Sequence, residues 1–344
     1  MSRRIAQLPG AAGRRAALCR LAGLAAWAGL VSGCGGGGGA GGPADAPASP
    51  GNPAGGSGPG MDTGNGNAGN PGAGSGAGGD TGTAPRAKSA KRGIAYDLAS
   101  DADMAALAPG VSWWYNWSSR PAASAPADAA ARHGMDFVPM LWNGNFDAAQ
   151  VQSGLLARPE VQHLLVLNEP NLIDQANLSP SAAAALWPRY EAVAQATGVK
   201  IVGPAMTWGT MAGYANPVAW LDAFYAAYRG THGRDPQIDC LAFHWYDYGL
   251  NGQLDALAKY GKPFWVTEFA NWHSQADGAQ IDSVAKQMAQ MTEMVKVCES
   301  RSDVLRYAWF IGRMSPDPHF TSLLAEPGVL TALGRHYLSL PYAG

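Results

Sequence analysis

His163-Leu-Leu-Val-Leu-Asn-Glu-Pro-Asn171 runs four large apolar residues, Leu164 to Leu167, straight into an amide, a carboxylate and a proline. An apolar run without polar alternation describes a strand buried on both faces, as in a parallel sheet. Pro170 cannot donate to a ladder and marks the strand's end. Glu169 is thereby set at the carboxyl end of a buried strand, where parallel α/β folds carry their chemistry. Pro263-Phe-Trp-Val-Thr-Glu-Phe-Ala-Asn271 has the same form and brings Glu268 to a second strand end, 99 positions further on.

Around these two runs the sequence offers six more: Gly93–Tyr96, Val111–Trp117, Phe137–Trp142, Lys200–Met206, Ile238–Tyr246 and Arg306–Ile311. Helical segments fall between several of them. Ser181–Thr197 is Ala-rich, opens after Ser179-Pro180 and meets Gly198 as a stop. Val218–Tyr228 and Ile281–Glu299 carry apolar residues at three- and four-residue spacing. Strands alternating with helices over residues 91–344 predict a single (β/α)8 barrel, an α/β fold of about 250 residues. An open doubly wound sheet is the competitor, but no Gly-rich phosphate loop follows the first strand.

The first 90 of the 344 residues read differently. Five arginines and no acid precede or flank an apolar stretch, Leu21–Val31, which is too short to span a bilayer. It ends Leu30-Val-Ser-Gly-Cys34, similar to a lipoprotein box, so residues 1–34 are expected to be a signal with Cys34 as the lipidated residue. The alternative is an ordinary signal cleaved nearby, and Arg14-Arg15 leaves twin-arginine export open. Gly35 after the cysteine resembles a sorting signal for the bacterial outer membrane. Residues 35–90 hold 21 of the 45 glycines and one larger apolar side chain, Met61. Such a segment cannot offset its chain entropy by burial and is expected to be a disordered linker.

Without residues 1–34 the chain has 19 basic against 26 acidic residues, a net charge of −7. That balance, with no basic stripe, argues against nucleic acid as a partner. Cys240 and Cys298 remain for an exported domain; a disulfide and two buried thiols both stay open. No HExxH or paired Cys/His spacing suggests a metal, nothing implies a cofactor, and no Gly-x-Ser-x-Gly elbow suggests a serine hydrolase. The domain is expected to act as a monomer.

In a barrel the strand ends line one mouth. They supply Tyr115 and Asn116, Trp142 and Asn143, Asn168 and Glu169, Trp208, His244 and Tyr246, Glu268, and Trp309. Flat aromatic faces beside polar groups suit sugar rings, so these non-acidic residues are the candidate substrate contacts. The two glutamates end strands four and seven, which converge across the mouth. One acid and one carboxylate on opposite sides of a sugar are what glycoside hydrolysis requires. Asn168 is placed to meet a sugar 2-hydroxyl. His244 and Tyr246 alternate onto one strand face, Tyr246 to hold Glu268 ionised and His244 to orient it or touch sugar.

Ser112-Trp-Trp-Tyr-Asn-Trp117, Phe137-Val-Pro-Met-Leu-Trp142, Leu167-Asn-Glu-Pro-Asn171, Gly203-Pro-Ala205, Phe243-His-Trp-Tyr246, Trp265-Val-Thr-Glu-Phe-Ala270 and Arg306-Tyr-Ala-Trp-Phe310 resemble, in order, the blocks of glycoside hydrolase family 128. The resemblance covers nearly all of 91–344 and implies a β-1,3-glucanase of the retaining barrel clan. It implies Glu169 as acid/base, Glu268 as nucleophile, and a laminarin-like β-1,3-glucan cut internally. Pro316–Pro327 departs from the pattern, which leaves exo action open. Two other readings stand beside it: a non-catalytic glucan-binding surface lipoprotein, and a β-1,4-glucanase or mannanase of the same clan.

Overall fold

Eight strand positions alternate with eight helices along residues 88–342, the part of the chain that the computed structural model describes. The expected signal with Cys34, the linker as far as residue 87 and the last two residues lie outside it. The order is β1 (Arg92–Ala95), α1 (Asp101–Leu107), β2 (Trp113–Tyr115), α2 (Ala129–His133), β3 in two pieces (Asp136–Phe137 and Met140–Leu141), α3 (Ala148–Leu156), β4 (His163–Val166), α4 (Pro180–Thr197), β5 (Lys200–Met206), α5 (Pro217–His232), β6 (Cys240–Trp245), α6 (Leu250–Leu257), β7 (Phe264–Phe269), α7 (Val284–Ser300), β8 (Val304–Trp309) and α8 (Ala332–Ser339).

Every strand pairing is parallel, and the ladder runs from β2 through β1, β8, β7, β6 and β5 to β4. The two pieces of β3 join its ends: Asp136–Phe137 pairs with β2, and Met140–Leu141 pairs with β4. The break falls at Val138-Pro139. Pro139 has no N–H to give, but its carbonyl still accepts from Leu165 N at 2.9 Å, while Val138 N donates to Trp114 O at 2.9 Å. The sheet therefore closes as a (β/α)8 barrel, as the alternation of runs predicts.

Strands β6 and β7 are buried throughout, and β4 from Leu164 onward, because helices cover one side and the barrel interior the other. The end of that interior below the strands' amino-terminal halves is solid. Arg306 lies over the rings of Trp113 and Trp265, and His163 packs on Trp265 with centroids 4.8 Å apart. The helix signals hold as well. Ser179 Oγ accepts from Ala182 N at 3.2 Å, Pro180 opens α4, and Gly198 ends it at φ 79°, a left-handed turn that glycine adopts freely.

Among the described residues, contacts to the domain are already made three residues before the expected boundary. Lys88 Nζ donates to the carbonyls of Ala108, Val111 and His133 at 2.9, 2.6 and 3.0 Å, and Ser89 Oγ to Glu299 Oε1 at 2.6 Å. The linker reading covered these residues because composition carries no trace of long-range bonds. Cys240 and Cys298 are buried free thiols, so no disulfide joins them. They lie on separate elements, β6 and α7, and burial pushes the Cys240 thiol up to about 11 and the Cys298 thiol further. Among the described residues, no helix is long and apolar enough to cross a membrane.

Candidate active site

At the carboxyl end of β4 the backbone hooks. Leu167 and Glu169 both take left-handed φ values, 60° and 45°, which non-glycine residues adopt only where the surroundings enforce them. The enforcement is visible on both sides. Leu167 N donates to Leu141 O at 2.8 Å, Asn168 N to Trp142 O at 2.8 Å, and Glu169 N to Ala205 O at 2.9 Å. Asn171, which the sequence reading left without a role, ties the loop to the one after β5 by donating to Thr207 O at 2.6 Å and Ala215 O at 3.2 Å. Gly209 must be glycine there: a Cβ would sit 2.0 Å from Asn171 O.

The hook turns Glu169 into the barrel mouth, where it meets Glu268 from β7. Both carboxylates are buried, and His244 of β6 stands between them, fully buried. Its Nδ1 lies 2.8 Å from Glu169 Oε1 and 3.4 Å from Glu268 Oε2, and its Nε2 lies 2.9 Å from Thr267 Oγ1. One oxygen of each carboxylate and one ring nitrogen all fall within 4.8 Å of one another. Three donors converge on Glu268. Tyr115 OH reaches Oε1 at 2.9 Å, Trp117 Nε1 reaches the same oxygen at 2.7 Å, and Tyr246 OH donates to Oε2. Each of the three donates a hydrogen bond to a carboxylate oxygen, so both oxygens of Glu268 are held in place. Tyr115 stays a phenol throughout, because burial, then Glu268, raise its proton affinity well above normal.

The sequence-predicted contacts divide into three groups. His244 and Tyr246 are where alternation puts them. Tyr115, expected as a sugar platform, is fully buried and serves Glu268 from behind. Asn116 points away from the interior and binds Asp97 Oδ1 at 2.9 Å and Arg120 O at 3.1 Å. Trp309 is not at the mouth: it is fully buried, donates to Thr321 O at 2.8 Å and packs near Tyr337 of α8. The reason is phase. Arg306 faces the barrel interior, and a residue three further along a strand faces the other way. Phe310 takes the inward place, 5.6 Å from Tyr246 and 5.9 Å from Trp117.

Asn168 is buried beside Glu169, with Nδ2 donating to Gln175 Oε1 at 3.2 Å. Trp142 and Asn143 are half-buried at the end of β3, and Asn143 Oδ1 accepts from Asn145 N at 2.8 Å. Trp208, beyond β5, is 41% exposed, its indole N–H fixed by Gln253 Oε1 at 2.7 Å. It is a flat, held, open face. Thr267 escaped sequence reasoning, and Trp117, at the end of the Val111–Trp117 run, was given no role by it. The alternation rule that found His244 and Tyr246 also groups Trp113, Tyr115 and Trp117, and would have aimed Trp117 inward. The 316–327 segment lies against the site as well: His319 stacks on Trp272 with centroids 5.2 Å apart, and Trp272 touches Tyr246 at 4.1 Å.

Among the described residues, Glu169, His244 and Glu268 form the cluster of donors close enough to hold a cation. A cation there would have to compete with the three hydrogen-bond donors already on Glu268. A polar hollow of about 640 Å³ lined by Glu191, Lys200, Arg234 and Asp239 opens at the amino-terminal ends of β5 and β6, away from the carboxylates. The mouth therefore offers one chemistry: two facing carboxyl groups, one held by three hydrogen-bond donors and the other on a histidine, with aromatic faces around them.

The family model for the glycosyl hydrolase catalytic core matches residues 93–337. The chain is similar to the crystal structure of a glycoside hydrolase family 128 (subgroup II) endo-β-1,3-glucanase from Pseudomonas viridiflava, at 65% identity and a TM-score of 0.74 over 75% of this chain and 100% of that one. It is also similar to a subgroup I endo-β-1,3-glucanase of that family from Amycolatopsis mediterranei in complex with laminaritriose, at 28% identity and a TM-score of 0.58 over 73% and 99%. A curated relative, Alkali-sensitive linkage protein 1 of Schizosaccharomyces pombe, is 26% identical over 267 residues, which cover 73% of this chain and 45% of that protein. The chain spans somewhat less than half the length of that relative.

Proposed function

This chain belongs to glycoside hydrolase family 128, and on that premise we propose that it hydrolyses β-1,3-glucan internally, with retention, using Glu169 as acid/base and Glu268 as nucleophile. The observation that carries the reading is the pair itself. A retaining pair needs its carboxyl groups ~5–5.5 Å apart, and an inverting pair leaves ~6.5–9.5 Å for a water. Carboxylate oxygens within 4.8 Å of each other support the first.

In the first step Glu268 bonds to the anomeric carbon while Glu169 gives its proton to the departing sugar oxygen. Tyr115, Trp117 and Tyr246 donate hydrogen bonds to Glu268, which leaves its oxygens aimed for attack as the nucleophile. Water then enters, gives its proton to Glu169 and displaces Glu268. His244 holds both carboxyls in register through the cycle. Trp208 lies on the side of Glu169, where the leaving part of the glucan departs, and offers it a stacking face. The two family 128 neighbours are endo-β-1,3-glucanases, which supports internal cleavage. The amino-terminal sequence supports export and a lipid on Cys34, with the outer membrane as destination. A non-catalytic glucan binder has no need of two carboxyls facing each other across a histidine.

The purified protein, given laminarin, cellulose and mannan separately, should release mixed laminari-oligosaccharides from laminarin early in the reaction. Hydrolysis of cellulose or mannan in preference, or glucose as the sole early product, would contradict the reading.

A further inference from the structure

Trp117 stands two residues past the end of β2 and takes φ 58°, in the left-handed region that a bulky side chain seldom occupies. The turn aims its indole N–H at Glu268 Oε1, 2.7 Å away. The ring is braced edge-on by Tyr115, centroids 5.3 Å apart, and by Phe310 at 5.9 Å. Backbone strain and packing are thus both spent on one donor. An indole N–H can donate but neither accepts nor ionises. Its contact is strong when Glu268 is a carboxylate and weak when Glu268 is an ester.

We propose that Trp117 is the positioning residue that governs the release of Glu268 from its covalent glycosyl intermediate. The inference rests on Glu268 being the nucleophile. In the first step an electron pair leaves Glu268 to form its bond to the anomeric carbon, the bond to the leaving oxygen breaks, and that oxygen takes the proton of Glu169. In the second step a water oxygen bonds to the anomeric carbon, its proton passes to Glu169, and the bond to Glu268 breaks with the pair returning to the carboxylate. A donor fixed on Oε1 stabilises the returning charge and assists the second step. In the first step the same donor stabilises the charge being lost, and gives no assistance. Tyr115 shares Oε1 but also lies 3.2 Å from Thr267 O, so its proton has a second acceptor. The indole N–H is directed at the carboxylate.

The test uses the full chain with Trp117→Phe and a dinitrophenyl β-laminaribioside, whose leaving group makes the first step fast. The expected result is a fall in kcat of about 10- to 100-fold, the weight of one hydrogen bond to a charged group. KM should fall with it, kcat/KM should change by less than about threefold, and a burst of dinitrophenol matching the enzyme concentration should precede the steady state. A loss of kcat/KM as large as that of kcat, with no burst, is what a purely structural residue would give and overturns the proposal. If the Phe variant does not fold, benzothienylalanine at position 117 keeps both rings and removes only the N–H; the same two results then decide. Glu268→Ala with azide separates the two levels of the argument. A glycosyl azide of inverted configuration keeps Glu268 as nucleophile even if the Trp117 result goes against the proposal, whereas no rescue removes the nucleophile and the proposal together.

Discussion

Glu169 and His244 share a 2.8 Å contact, Oε1 to Nδ1, and the same nitrogen reaches Glu268 Oε2 at 3.4 Å. One imidazole therefore spaces both carboxyl groups. His244→Ala should lower kcat about 100-fold or more, since contacts to two charged groups are lost together. KM should change little, because the ring is fully buried. Steady-state kinetics on laminarin checks this; a large rise in KM with kcat preserved would make His244 a sugar contact instead.

Trp208 tests the binding surface without touching the chemistry. Its ring is open, and under the proposed reading it stacks on a sugar beyond the leaving oxygen. Trp208→Ala should raise KM for laminarin about 3- to 10-fold, the range of one aromatic stacking contact. On a dinitrophenyl laminaribioside, which has no sugar on that side, kinetics should be unchanged. An equal effect on both substrates would place Trp208 elsewhere in the recognition.

His163 supplies a pH dependence of stability. Burial, with Arg306 and Lys200 adding to it, holds its imidazole down at about 4, against about 6.5 in an unfolded chain. Between those values the unfolded chain binds a proton that the folded one refuses, so stability falls as the pH falls from about 6.5 to about 4. His163→Gln should flatten the decline of Tm across that window. An unchanged slope in calorimetry would contradict the assignment.

The amino-terminal segment can be tested at both of its ends. Cys34→Ala should move the protein out of the membrane fraction with its activity intact; unchanged fractionation would count against the lipid. A chain begun at residue 88 should melt at the temperature of the whole protein. Begun at residue 91, it loses the three carbonyl bonds of Lys88 and should melt several degrees lower. Equal melting temperatures for the two would remove Lys88 from the domain.

The sequence told most where burial was total. Strands buried on both faces must be continuous apolar runs, so β4 and β7 announce themselves, and the glutamates at their ends follow. Ser179, Pro180 and Gly198 bound α4 because capping chemistry is local. What stayed hidden was depth and phase at the mouth. Tyr115, Trp208 and Trp309 are all aromatic residues near strand ends, yet one is behind a carboxylate, one is open and one faces α8. Only the register of each strand, read against an interior residue such as Arg306, distinguishes them. The left-handed turns at Leu167, Glu169 and Trp117 were equally silent, since sequence rules reserve that conformation for glycine and asparagine, and here tertiary contacts impose it.

The central claim is that Glu169 and Glu268 cleave by double displacement. Proton NMR on the first product released from a laminari-oligosaccharide, recorded before mutarotation, tests it most directly. Retention predicts that the β-anomer of the new reducing end is formed first and then decays toward equilibrium. If the α-anomer comes first, water has attacked directly, Glu268 is no nucleophile, and the account given for this pair is wrong.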